Sequence, residues 1–218
     1  MNPKISRPTT TTGATTIDAG LRAHMQRIYN RMTLGVLVTA LTAMIVSSSP
    51  SLLALFLGGP QAYIIMFAPI AVLWFGFNPM TMSSNKLRVS FFLISVLYGI
   101  SFSVIFLAFT NESIFRAFFI ATGMFAGLSI FGYTTRKKLD GMISFVVMGI
   151  WGVLILAIIN MFIGSSQMQN IISGMAIIAF SGLVAWQTQS MKQMYHHASG
   201  DEANSRMAWS AALNLYIA

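Results

Sequence analysis

Apolar stretches of similar length, divided by short polar breaks, organise the chain from Met32 onward. They fall near 32–52, 61–78, 89–109, 114–133, 142–163 and 170–190. Each is close to the about 20 residues that a helix rising about 1.5 Å per residue needs to cross hydrocarbon. A seventh stretch, "MAWSAALNLYIA", starts at Met207 and has twelve residues when the sequence stops, so it reads as truncated or as a half-span. The breaks carry turn-forming residues: "SSSP", "GGP", "NP", "TNES", "GSS" and "SGDE". This pattern predicts an all-α integral membrane protein, a bundle of seven transmembrane helices whose seventh is incomplete at the C-terminus.

The pattern also divides the chain into a leader, residues 1–31, and a bundle, residues 32–218. The leader's "RPTTTTGATT" has little apolar surface to offset the entropy of ordering and reads as disordered. Asp18 to Arg31 reads as a basic amphipathic helix lying on the membrane surface. An apolar run that begins near Met32 is too late and too long for a cleaved signal peptide, so it is the first span.

Composition agrees with this reading. Charged residues make up 8% of the chain, against roughly 25% in soluble domains, and mean hydropathy is +0.71. The net charge of +8 invites a nucleic-acid partner, but the basic residues sit between spans and form no stripe interleaved with aromatics. Their placement instead tests the topology. Lys4, Arg7, Arg22, Arg27, Arg31, Lys86, Arg88, Arg136, Lys137, Lys138, Lys192 and Arg206 share one side, and Arg116 alone falls on the other. By the positive-inside rule the N-terminus and the even-numbered loops are cytoplasmic.

Candidate chemistry is sparse. The absence of cysteine excludes disulfides, thiolate metal sites and cysteine nucleophiles. The five acids, Asp18, Glu112, Asp140, Asp201 and Glu202, all fall in the leader or in loops, whereas a proton-coupled pump needs an ionisable group within the membrane. Asp140 follows Arg136, Lys137 and Lys138 at the mouth of the fifth span and reads as part of a solvated loop. His196 and His197 are adjacent, do not share a helix face and have no companion ligands, so neither a metal site nor a cofactor is expected. Ser181 has no histidine on any span to act as its base, so no enzyme activity is expected. Asn160, Gln187 and Asn214 remain. A buried amide needs several partners, which makes these three candidates for lining a pathway. Gly123, Gly127 and Gly132, with Ser129, predict a close helix approach to the fourth span, "GMFAG" being a small-xxx-small match.

The run "FRAFFIATGMFAGLSIFGYTTRKKLDGMISFVVMGIWGVLILAIINMFI", followed by "ISGMAIIAFSGLVAWQTQSMKQMY" and "ALNLY", resembles the bacterial branch of the Bax inhibitor-1 family, also called transmembrane Bax-inhibitor-motif proteins. The likeness runs from Ser113 to Ala218 in order and spacing. It implies a bundle in which helices surround a central one, in the bacterial inner membrane. It also implies one of two functions. Some members are proposed to leak calcium in a pH-dependent way; others are proposed to bind and restrain an ATP-dependent membrane protease or to modulate stress-induced death. The family's proposed pH latch is a pair of aspartates that share a proton. Here "WQTQ" places Gln187 at the first position and "LNLYIA" places Ala218 at the second, so the latch is altered and cannot titrate. A passive pathway for calcium or other cations and a non-conducting regulator of a membrane partner both stay open.

Overall fold

The computed structural model describes the backbone of residues 11–195 and 200–218, and side chains from Ala19 onward. The described residues form nine helices: α1 Thr11–Ser47, α2 Pro50–Leu57, α3 Gln61–Phe75, α4 Ser84–Phe102, α5 Ile105–Ala108, α6 Asn111–Thr134, α7 Asp140–Ile163, α8 Ser166–Met194 and α9 Asp201–Ile217. There is no strand among them. Backbone groups that hydrogen-bond within their own segment suit hydrocarbon, where no water replaces a lost partner.

Five stretches are long and apolar enough to cross a membrane: Ala19–Ser47, Ser84–Ala108, Asn111–Thr134, Asp140–Ile163 and Ser166–Met194. A sixth is α2 with α3, if the pair counts as one span despite a bend of 74°. Pro50 opens α2, and Gly58, Gly59 and Pro60 interrupt the chain before α3. Such residues start a helix readily but do not sustain one. Residues 50–52, assigned by the pattern to the end of the first span, thus belong to a separate short helix. The seventh helix, α9, has 17 residues and falls below the crossing length.

The leader and the first span do not separate at residue 31. One helix, α1, runs through that point, and its early turns are packed within the protein rather than laid on the membrane: His24 is 2%, Met25 4% and Ile28 0% exposed. Once these residues anchor the helix, each further residue adds a hydrogen bond without a new nucleation cost. The helix accordingly extends back to Thr11, into the stretch that reads as disordered.

The core lies where α1, α4, α8 and α9 meet, with Met25, Ile28, Leu87, Phe91, Ile94, Met191, Ala208, Trp209 and Ala212 buried together. Helix α9 is the inner element and packs on α1, α4 and α8. Helices α6 and α7 pack on α8 and present most of their surface outward, as Phe162 (81% exposed) and Phe145 (75%) illustrate. In water such exposure would be costly; in lipid it is the expected outer face.

Candidate functional site

Sequence reasoning singled out the polar turn around Gln187, and the structure gives that turn a specific neighbour. Helices α6 and α8 approach closely at Gly132. A methyl group there would collide with the Ala185 carbonyl oxygen and come within 3.1 Å of Thr188 Cβ. One turn earlier on α6, Ser129 occupies the same face. Thr188 is 0% and Ser129 7% exposed, and neither hydroxyl has a hydrogen-bond partner. The Gln187 Oε1 atom is also buried and unpaired. Two neutral hydroxyls therefore sit within the α6–α8 packing with their lone pairs unused, and the buried Gln187 Oε1 belongs to the residue next to Thr188. By contrast, Gly123 and Gly127 of the small-xxx-small match have no atom within 4 Å of where a Cβ would stand. Of the three glycines expected to mediate close contact, only Gly132 does so.

Next to this layer, Gln189 (6% exposed) holds the α6–α7 loop. Its Oε1 accepts a hydrogen bond from Leu139 N at 2.8 Å, and its Nε2 donates to Lys137 O at 2.8 Å. The Trp186 indole N–H donates to Asp140 Oδ1 at 3.2 Å. Lys192 Nζ donates to Tyr133 O at 3.1 Å and lies 4.8 Å from the Tyr133 ring centre. The side chains of Arg136, Lys137 and Lys138 are exposed around this frame.

The other predicted positions lie elsewhere. Asn160 sits at the opposite end of the bundle as a turn fixture: Oδ1 accepts from Ser165 N at 3.0 Å and Nδ2 donates to Gln169 Oε1 at 3.2 Å. Gly164 follows with φ +68°, a left-handed turn that suits glycine. Its partner Gln169 and Gln187 are separated by eighteen residues of one helix, about 27 Å at a rise of about 1.5 Å per residue. Asn214 is exposed on α9 between buried Leu213 and Leu215. Ala218 closes the far end of α9, seventeen residues from Asp201, whereas Gln187 lies about two turns from the end of α8. His196 and His197 lie outside the described residues.

Several inner polar contacts escaped sequence reasoning. Arg31 donates to Ser205 O at 2.8 Å and to Ser205 Oγ at 3.0 Å, and its guanidinium lies 4.1 Å from the Trp209 ring centre. It reads as one more basic flank in sequence but in fact clamps α1 to α9. Further along, Thr39 Oγ1 meets Tyr216 OH at 2.7 Å and lies 2.9 Å from Ser95 O, joining α1, α9 and α4. Only the isolated hydroxyls within apolar runs hinted at this. Glu202, at the start of α9, accepts from Ser84 N at 2.8 Å and so satisfies the N-terminus of α4. That backbone hydrogen bond holds the Glu202 carboxyl below its ordinary pKa. A cavity of about 370 Å³ opens between α1, α4, α5, α6 and α9, walled by apolar side chains apart from Thr39, Tyr98 and Tyr216. None of the predicted site residues lines it.

The basic residues gather at one end. Contacts of Arg31 with Ser205, Glu202 with Ser84, Arg206 with Met80 O and Lys192 with Tyr133 bring the ends of α3, α6 and α8 together with the starts of α4 and α9. Arg116 lies apart, paired with Glu112 at 2.7 Å.

Comparison with known proteins is consistent with this architecture. The sequence model for the family described as "Inhibitor of apoptosis-promoting Bax1" matches residues 21–218. An uncharacterised protein of Rickettsia prowazekii is 37% identical over 210 residues, covering 96% of this chain and 89% of the relative. One from Caulobacter vibrioides is 36% identical over 212 residues, covering 92% and 85%. The inner membrane protein YbhL of Escherichia coli is 29% identical over 203 residues, covering 91% and 87%. With the match spanning α1 to α9 and the helices apolar enough for a bilayer, the chain is a membrane protein belonging to the Bax inhibitor-1 family.

Proposed function

We propose that this protein is a passive cation pathway, permeable to calcium, whose narrow layer is the α6–α8 contact at Ser129 and Thr188, with Gln187 beside it on α8. The observation that carries the reading is the set of three buried, unpaired oxygens, Ser129 Oγ, Thr188 Oγ1 and Gln187 Oε1. A polar atom left unpaired away from water costs free energy, and water or a cation passing through would satisfy it. Hard cations take oxygen ligands, and neutral oxygens hold them weakly, which suits a leak better than storage. The N-terminus and the basic end face the cytoplasm in this reading, following the charge asymmetry. The alternative is a non-conducting regulator whose leader, loops and helix surfaces bind a membrane quality-control protease or another stress-response membrane protein.

The latch assignment is tested with Gln187→Asp in proteoliposomes, alongside the wild type. Wild-type flux is expected to stay unchanged between neutral and mildly acidic pH, because none of the three oxygens titrates there. The variant places a carboxyl beside the layer, and its flux is expected to become pH-dependent. Identical pH profiles for the two proteins would count against Gln187 as the gate.

A further inference from the structure

The loop that joins α6 to α7 carries three consecutive cations, and among the described residues none of them is in an ion pair. Arg136, Lys137 and Lys138 are exposed, and no described ion pair involves them; the one described ion pair, Arg116–Glu112, is at the other end of the bundle. Asp140, which follows them, accepts a hydrogen bond from the Trp186 indole on α8 and supplies one negative charge against three positive ones. Lys192, held against Tyr133, adds a fourth cation on the same side.

Exposed loops of this composition are usually pliable, but this one is fastened. Gln189 binds it at two places on either side of Lys138, through Lys137 O and Leu139 N. Leu139 is 8% exposed and acts as an anchor. On either side the backbone passes directly into helix, with Thr135 N bonded to Phe131 O at 2.9 Å and Met142 N to Leu139 O at 2.9 Å. The cations thus project from a fixed frame at the end of two apolar 24-residue helices, the depth at which lipid headgroups lie.

We propose that the α6–α7 loop is a preorganised seat for the headgroup of an anionic phospholipid. The phosphodiester oxygens would accept hydrogen bonds from the Arg136 guanidinium, whose planar fork matches them, and from the Lys137 and Lys138 ammonium groups. Because Gln189 already orders the loop, little conformational freedom is lost on binding.

The test reconstitutes the full chain in vesicles of phosphatidylcholine with a minor share of phosphatidylglycerol, extracts it in mild detergent and measures the retained lipids by mass spectrometry. The wild type is expected to enrich phosphatidylglycerol over the bulk ratio. The triple variant R136Q/K137Q/K138Q is expected to lose that enrichment by about fivefold or more, given the attraction of each basic side chain to an anionic surface. Gln189→Ala keeps every charge but releases the frame, and is expected to lose part of the enrichment. Millimolar inorganic phosphate added before extraction is expected to leave the wild-type result unchanged; displacement of the lipid would overturn the lipid seat in favour of a free-phosphate site. Equal retention by the wild type and the triple variant, both monodisperse, would overturn the proposal. Full retention by Gln189→Ala would overturn its preorganised character.

Discussion

Glu202 and Gly132 show how much a single position decides in this bundle. Glu202 is exposed, and its carboxylate accepts the Ser84 backbone N–H that α4 leaves unpaired at its start. Its folded pKa lies below the ordinary value of 4.5, so its contribution is complete above that value and fades as pH falls through the folded pKa. Thermal unfolding in detergent is expected to show Glu202→Gln less stable than the wild type at neutral pH, with the gap closing in stronger acid. A gap that widened in acid would contradict this linkage. Gly132→Ala is expected to destabilise the protein by about 1–3 kcal/mol, because the added methyl group meets the α8 backbone. Gly123→Ala faces open space and is expected to be neutral or slightly stabilising. The sequence marked Gly132 and Gly123 alike, since spacing along one helix does not reveal which face meets a neighbour. Gln187 was legible as a polar intruder on an apolar helix. That the Ser129 and Thr188 hydroxyls lack a partner was not legible, because a hydroxyl in a helix commonly bonds to its own backbone and only packing reveals that these do not.

At the scale of the element, the breaks were easier to read than the joins. The turn-forming residues between spans correspond to helix ends throughout, as at Gly164 and at Gly58–Pro60. Periodicity could not show that α1 continues through residue 31, because polar residues on one face and anchors such as Ile28 on the other suit a surface helix as well as a packed one. Nor could it show that α2 and α3 meet at 74°. The α6–α7 loop offers the sharpest element-scale prediction. Removing the Gln189 amide in Gln189→Ala leaves the buried Leu139 N–H without its partner, at a cost of about 1–3 kcal/mol. Hydrogen exchange is expected to quicken at the Leu139 amide while the middle of α7 keeps its protection; unchanged exchange at Leu139 would show that the loop is held by other means.

For the whole molecule, low charge and bilayer-length apolar runs made the class readable, since few physical arrangements accommodate so much outward apolar surface. The basic residues told two ends apart, and the structure gathers the described ones accordingly. The site was less legible because its predicted amides do not share one layer: Asn160 fixes a turn at one end, Gln187 lies near the other, and Asn214 is exposed on α9. A pathway depends on which oxygens share a layer, which is a property of packing. The direct test of the pathway is calcium uptake into proteoliposomes holding the purified wild-type protein, set beside protein-free vesicles of the same lipid. Uptake well above the protein-free rate, and reduced when Thr188→Val and Ser129→Ala strip the α6–α8 layer of its hydroxyls, is the predicted result. Uptake at the protein-free rate from folded, inserted protein would contradict it.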